Sequence, residues 1–126
     1  MSKANPAQPS QSELAVLKQL WANGAQSARE IHTKVEPETG WSYSTTRTLI
    51  TRMADKGLVA RKDVHGLSVF EASVEKVSLM SDLIRDFASK VLELDQPLPA
   101  TAFASSRLFT EEEAEALSRL LEEDEQ

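Results

Sequence analysis

Apolar residues recur at helical spacing in three successive stretches of this chain, each closed by residues that end helices. Leu14, Leu17, Leu20 and Trp21 predict a first helix, from an N-cap at Ser12 to about Ala22, with Asn23-Gly24 as its stop. Ala28, Ile31 and Val35 mark the inner face of a second, which opens at Ser27 with Glu30 as capping-box partner and ends at Pro37. Ser42 is placed to cap a third helix that runs to about Lys56 with Gly57 at C′, and Thr46, Leu49, Ile50 and Met53 form its buried stripe. The period then shortens. Leu58–Val64 and Leu67–Ala72 are β-prone segments around His65-Gly66, the pattern of a hairpin.

Helical periodicity returns at Val74. Val77, Met80, Ile84, Phe87, Val91 and Leu94 follow alternating steps of three and four, an a/d seam expected to join two copies of the chain, and Leu79, Leu83 and Leu92 widen the apolar surface. Pro97 and Pro99 mark a turn, Ala100–Leu108 is expected to form a short helix, and Thr110 with Glu113 predicts a capping box for a last helix. Phe109 is placed as a hydrophobic staple toward Ala114, and Leu117, Leu120 and Leu121 are expected to point inward. The fold class that follows is mainly α with a small β-hairpin wing. Residues 1–11 are expected to be a flexible arm, 12–72 a winged helix-turn-helix, 73–121 a helical dimerisation region and 122–126 a frayed acidic tail.

The outer face of the third helix carries the chemistry. Ser44, Thr45, Arg47, Thr48, Thr51 and Arg52 give it hydroxyls and guanidinium groups, with no acidic residue before Asp55. Ser and Thr are mediocre helix formers at exposed positions, so helix propensity does not account for this choice. An α-helix fits the major groove of B-DNA, where Arg donates two hydrogen bonds to guanine and Thr offers both a hydroxyl and a methyl group. Ser42, Ser44, Thr45, Arg47, Thr48, Thr51 and Arg52 are therefore candidate DNA contacts, joined by Arg61, Lys62 and His65 on the hairpin as backbone contacts.

Charge changes the picture only when resolved along the chain. The net −6 divides into +3 over residues 1–70 and −9 over residues 71–126, a mildly basic head and an acidic tail. No cysteine is present, which removes disulfides, thiolate metal sites and thiol nucleophiles and fits a cytoplasmic setting. Neither a membrane span nor a signal peptide is expected, because the apolar runs are short and Met1–Ser10 lacks an apolar segment behind positive charge. His32 and His65 are poorly placed for a metal site, and Glu111, Glu112, Glu113 and Glu115 suit the first turn of a helix. Trp21 and Trp41 border apolar stripes and read as core rather than as base-stacking residues. With no nucleophile triad, phosphate-binding glycine loop or metal motif, neither an enzyme nor a cofactor is expected.

The run Gly40-Trp41-Ser42-Tyr43-Ser44-Thr45-Thr46-Arg47-Thr48-Leu49-Ile50-Thr51-Arg52, followed by Lys56-Gly57-Leu58-Val59, resembles the recognition-helix signature of the penicillinase repressor family. Glu13 to Leu17 with Leu20-Trp21, and Phe103, Phe109, Glu113, Leu117 and Leu121, extend the resemblance over about residues 12–121. It implies a homodimeric winged-helix repressor on a palindromic operator, with DNA at Ser44, Thr45, Arg47, Thr48 and Arg52. The C-terminal helices would form the dimer, with Phe103, Leu117 and Leu120 beside the seam residues. Copper-responsive members use a cysteine motif that this chain lacks. In antibiotic-responsive members an inducing protease cuts an Asn-Phe bond, and the corresponding pair here is Ala102-Phe103. The competing functional reading is a winged-helix module that binds protein without sequence-specific DNA binding, and a coiled-coil adaptor built on residues 74–94 is a further one.

Overall fold

The computed structural model describes residues 8–103 and 105–123. The chain separates into two compact units that meet between Val74 and Glu75.

In the first unit α1 spans Gln11–Asn23, and its N-cap is Ser10 rather than Ser12. The Ser10 N–H donates to Glu13 Oε1 at 2.9 Å, and the Glu13 N–H donates to Ser10 Oγ at 3.1 Å. Ser12 has Ala15 three residues on, which cannot return such a bond. Pro9 is buried and Gln11 is helical, so the end of the expected arm is part of the folded unit, and residues 1–7 lie outside the described ones.

The second helix, α2 (Ala28–Thr39), has the capping box of Ser27 and Glu30 but does not stop at Pro37. A proline there removes a single bond to the carbonyl of Thr33, and with so little helix left the turn completes. Thr39 Oγ1 donates to the Val35 carbonyl at 2.9 Å, and Gly40, at φ 71, closes the helix with its N–H on the Glu36 carbonyl at 2.8 Å. The third helix, α3 (Tyr43–Lys56), follows its expected caps, Ser42 and Gly57.

Val16, Leu17, Ile31, Ile50, Met53, Leu58 and Val59 are buried and form the core of this unit. Glu13 is buried with them. Its carboxylate meets Lys56 Nζ at 2.8 and 2.9 Å, so one side chain both caps α1 and ties it to the end of α3. Burial raises the Glu13 pKa, but the hydrogen bond from Lys56 and the Ser10 N–H outweigh it and hold the carboxyl below its ordinary value.

Strands β1 (Val59–Val64) and β2 (Leu67–Ala72) pair antiparallel, with Val64 opposite Leu67 and Val59 opposite Ala72. The two turn residues, His65 at φ 52 and Gly66 at φ 79, are both left-handed, as a two-residue type I′ turn requires. Gln26 exchanges both backbone bonds with Phe70, at 3.0 and 2.7 Å, which anchors β2 to the segment between α1 and α2. Trp21 Nε1 donates to the Val74 carbonyl at 3.1 Å, a packing role.

The second unit departs more from the apolar pattern. Helix α4 (Lys76–Asp86) is capped by Glu75, then the chain passes through a π-helical turn at Phe87–Val91 and leaves the helix at Glu93, φ 57. The expected unbroken helix to Leu94 is thus absent. The wider π turn breaks the constant step before Val91, and Leu94 lies beyond the end of the helix, so neither continues the stripe that Val77 and Met80 begin. Among the described residues of the stretch Ala100–Leu108, only Ala100–Phe103 is helical, as a 3₁₀ turn. The final helix, α5 (Glu111–Glu123), opens with the expected reciprocal bonds between Thr110 and Glu113, at 3.0 and 3.1 Å. Lys76 Nζ reaches Glu113 Oε1 at 2.9 Å and also donates to the Leu108 carbonyl. The Thr110 N–H, and after it Lys76, hold the Glu113 pKa below its ordinary value. Glu122 and Glu123 continue α5 instead of fraying, and residues 124–126 lie outside the described ones. No helix among the described residues is long and apolar enough to cross a membrane.

Candidate nucleic-acid interface

Helix α3 sorts its side chains by face. Thr46, Ile50 and Met53 are buried and Leu49 is half-buried, whereas Ser44, Thr45, Arg47, Thr48, Thr51 and Arg52 are all exposed. What holds this face in place is polar as well as apolar. The buried Thr46 hydroxyl lies 2.8 Å from Nδ1 of His32 on α2 and donates to the Ser42 carbonyl at 3.4 Å. His32 is thus an internal linker between α2 and α3 and not a surface residue.

Ser42 is occupied locally. Its Oγ accepts the Thr45 N–H at 3.1 Å and donates to Thr45 Oγ1 at 3.1 Å, so its hydroxyl sets the start of α3. Neither Arg47 nor Arg52 forms an ion pair among the described residues.

The cations of the hairpin are not gathered at its tip. Arg61 stands opposite Phe70 and Lys62 opposite Val69, in mid-strand, and only His65 sits in the turn. Adjacent strand residues project to opposite faces. Arg61 joins Arg47, Ile50, Thr51 and Phe70 around a cleft of about 560 Å³ between α3 and the hairpin. Its Nε donates to Ser68 Oγ at 3.0 Å and lies 3.6 Å from Asp63. Lys62 instead pairs with Glu71 at 3.2 Å. The tip itself is apolar, with Val64 and Leu67 exposed on either side of the turn.

Two members of this surface escaped the sequence reading. Arg29, exposed in the first turn of α2, lays its guanidinium carbon 3.8 Å from the ring centre of Tyr43, and that of Arg47 is 6.0 Å from the same ring. A signal was present: a cation in the first turn of a helix opposes the macrodipole.

The seam residues of the second unit divide. Val77, Met80 and Leu117 are buried within it, Ile84, Phe103 and Leu120 are half-buried, and Phe87, Val91 and Leu94 are exposed, together with Leu92. No group of three or more metal-ligating side chains gathers among the described residues.

Three helices, a hairpin wing and a hydroxyl- and guanidinium-lined third helix define a winged-helix DNA-binding protein. A profile of the penicillinase repressor family matches residues 9–123, and the chain belongs to that family. It is a DNA-binding transcriptional repressor and not an enzyme. The methicillin resistance regulatory proteins MecI of Mammaliicoccus sciuri and of Staphylococcus aureus (strain N315) are each 27% identical over 112 residues, 89% of this chain and 91% of the relative. Among solved structures, monomeric BlaI of Bacillus licheniformis in complex with the blaP half-operator is similar at TM-score 0.52 and 22% identity, over 57% of this chain and 88% of that one. A MarR family protein from Bacillus stearothermophilus is similar at TM-score 0.51 and 22% identity, over 93% of this chain and 73% of that one. These structural likenesses bear on the fold.

Proposed function

We propose that this repressor binds a palindromic operator as a homodimer, with α3 of each protomer in the major groove. The observation that carries this reading is the exposed face of α3, which has six hydroxyl or guanidinium side chains and no large apolar one. Arg47 and Arg52 contact base edges or phosphate there, Ser44, Thr45 and Thr48 contact backbone near the start of the helix, and Thr51 lies further along the groove. Arg61 reaches backbone from the hairpin, with weaker support from Lys62, which Glu71 half-neutralises, and from His65 at the turn. Ser42 contributes by fixing the first turn of α3.

Dimerisation rests on the second unit, where Phe87, Val91, Leu92 and Leu94 leave apolar surface uncovered. Two heads held together would engage half-sites one or two helical turns apart and block polymerase in the cytoplasm. Because Ala102-Phe103 stands where antibiotic-responsive relatives carry Asn-Phe, relief of repression follows a different cleavage specificity or a different inducing signal.

Selection of random-sequence duplexes by the purified protein at two salt concentrations tests the reading. Recovery of a palindrome whose enrichment Arg47→Ala abolishes is the expected result. Salt-sensitive binding without a motif, or no binding, favours a protein-binding winged-helix module.

A further inference from the structure

We propose that Arg29 and Tyr43 form a backbone clamp beside the recognition helix, in which the Tyr43 ring holds the Arg29 guanidinium flat so that its edge grips a DNA phosphate. The proposal rests on the placement of α3 at the operator and extends it to a second helix.

Arg29 is poorly explained by the stability of α2. It stands in the first turn, where the macrodipole favours acids, and the acid that belongs there, Glu30, is engaged in the capping box. It forms no ion pair among the described residues. What orders it is the ring of Tyr43, the first residue of α3, at 3.8 Å from the guanidinium carbon. A guanidinium lying flat on a ring at that distance keeps its in-plane N–H donors available, the geometry that suits a phosphate with two oxygens.

Arg47, one turn further along α3, lies within 6.0 Å of the same ring centre. Both guanidinium groups thus lie near one ring, and neither forms an ion pair among the described residues. Two cations beside one ring raise the local positive potential, which favours a phosphate at the edge of Arg29. Tyr43 is itself ordered from below: its ring meets the buried His32 edge-on, with centroids 5.6 Å apart and planes at 73°. The same three residues border the cleft that opens between α3 and the hairpin, so a strand of DNA backbone entering it would pass over the stack. Arg29 and Tyr43 therefore supply affinity and orientation, and Arg47 supplies sequence reading.

The test measures binding of the full-length protein to a selected duplex and to a scrambled duplex of the same composition, over a range of salt concentrations. Arg29→Ala is expected to weaken both complexes by a similar factor, on the order of tenfold or more, and to lower the slope of log affinity against log salt by about 2 for a dimer, one phosphate per head. Tyr43→Phe keeps the face and is expected to bind as the parent does, whereas Tyr43→Leu is expected to reproduce most of the Arg29→Ala loss with an unchanged melting temperature. If Arg29→Ala changes neither affinity nor slope while Arg47→Ala abolishes discrimination between the duplexes, the clamp is wrong and the placement of α3 stands. If Arg47→Ala also leaves binding unchanged, α3 is not at the DNA and the clamp falls with it. A loss in Arg29→Ala without any in Tyr43→Leu overturns the role given to the ring.

Discussion

The two units of this chain treat their apolar residues in opposite ways. In the first, nearly every large apolar side chain on an inner face finds cover, and the helices are closed at both ends by Ser-Glu boxes or a Ser cap and by glycines. In the second, α4 passes into a π turn just where its stripe should continue, and Phe87 and Val91 stay 50% and 61% exposed. Burying a side chain of that size is worth about 1.5–3 kcal/mol, so the second unit leaves much of its available stabilisation unused while it is alone. The head completes itself from its own residues, and the tail leaves apolar surface exposed.

Charging the tail surface breaks that contrast most sharply. Phe87→Glu is expected to turn the proposed homodimer into monomers in sedimentation analysis and to lower operator affinity by about 10²–10⁴-fold, since the second head is no longer delivered at high local concentration. Unchanged mass in that variant would remove the exposed surface from the interface. Truncating the head core has the next largest effect: Ile50→Ala is expected to cost about 2–5 kcal/mol in denaturant unfolding, because its side chain is fully enclosed. A cost well under that range would mean that the head core is not self-sufficient.

Lys56→Met probes the polar tie within the same unit. It leaves the Glu13 carboxylate buried without its cation, and a loss of about 2 kcal/mol is expected, reduced from the value for a fully enclosed pair because Lys56 is 36% exposed. Loss of the pair also raises the Glu13 pKa, so the variant should regain part of its deficit in acid.

The smallest expected effect is the acid response of the parent protein. Both Glu13 and Glu113 have folded pKa values below the ordinary one. Their contribution is therefore complete above the unfolded pKa of about 4.3 and is lost as pH falls through the depressed folded values. Unfolding followed between neutral pH and pH 3 should show stability flat down to about 5 and falling below it, with a shallower fall in Glu113→Gln. An identical fall in that variant would deny Glu113 a share.

The fold of the head was legible because its signals are local. Ser27 with Glu30, Ser42 with Gly57 and His65-Gly66 act within a few residues of themselves, and each gave the element it predicted. The same rule applied more strictly would have chosen Ser10 over Ser12, since Glu13 answers only the former. Pro37 misled because the cost of a proline depends on how much helix follows it. The unbroken helix to Leu94 failed for another reason: a stepping pattern assumes a constant turn, and a π turn changes the phase without any residue that announces it.

Of the candidate interface, the exposed face of α3 came directly from spacing, because burial of Thr46, Ile50 and Met53 dictates what the other side must show. Family membership was legible too, in a run of residues whose identities go beyond amphipathic periodicity. Tertiary structure alone decided which distant side chains meet. It brought Glu13 to Lys56 and His32 to Thr46, turned Arg61 toward α3 while Lys62 went to Glu71, and laid Arg29 over Tyr43. Each of these depends on the angle at which two elements pack, and no spacing along a single element contains that angle.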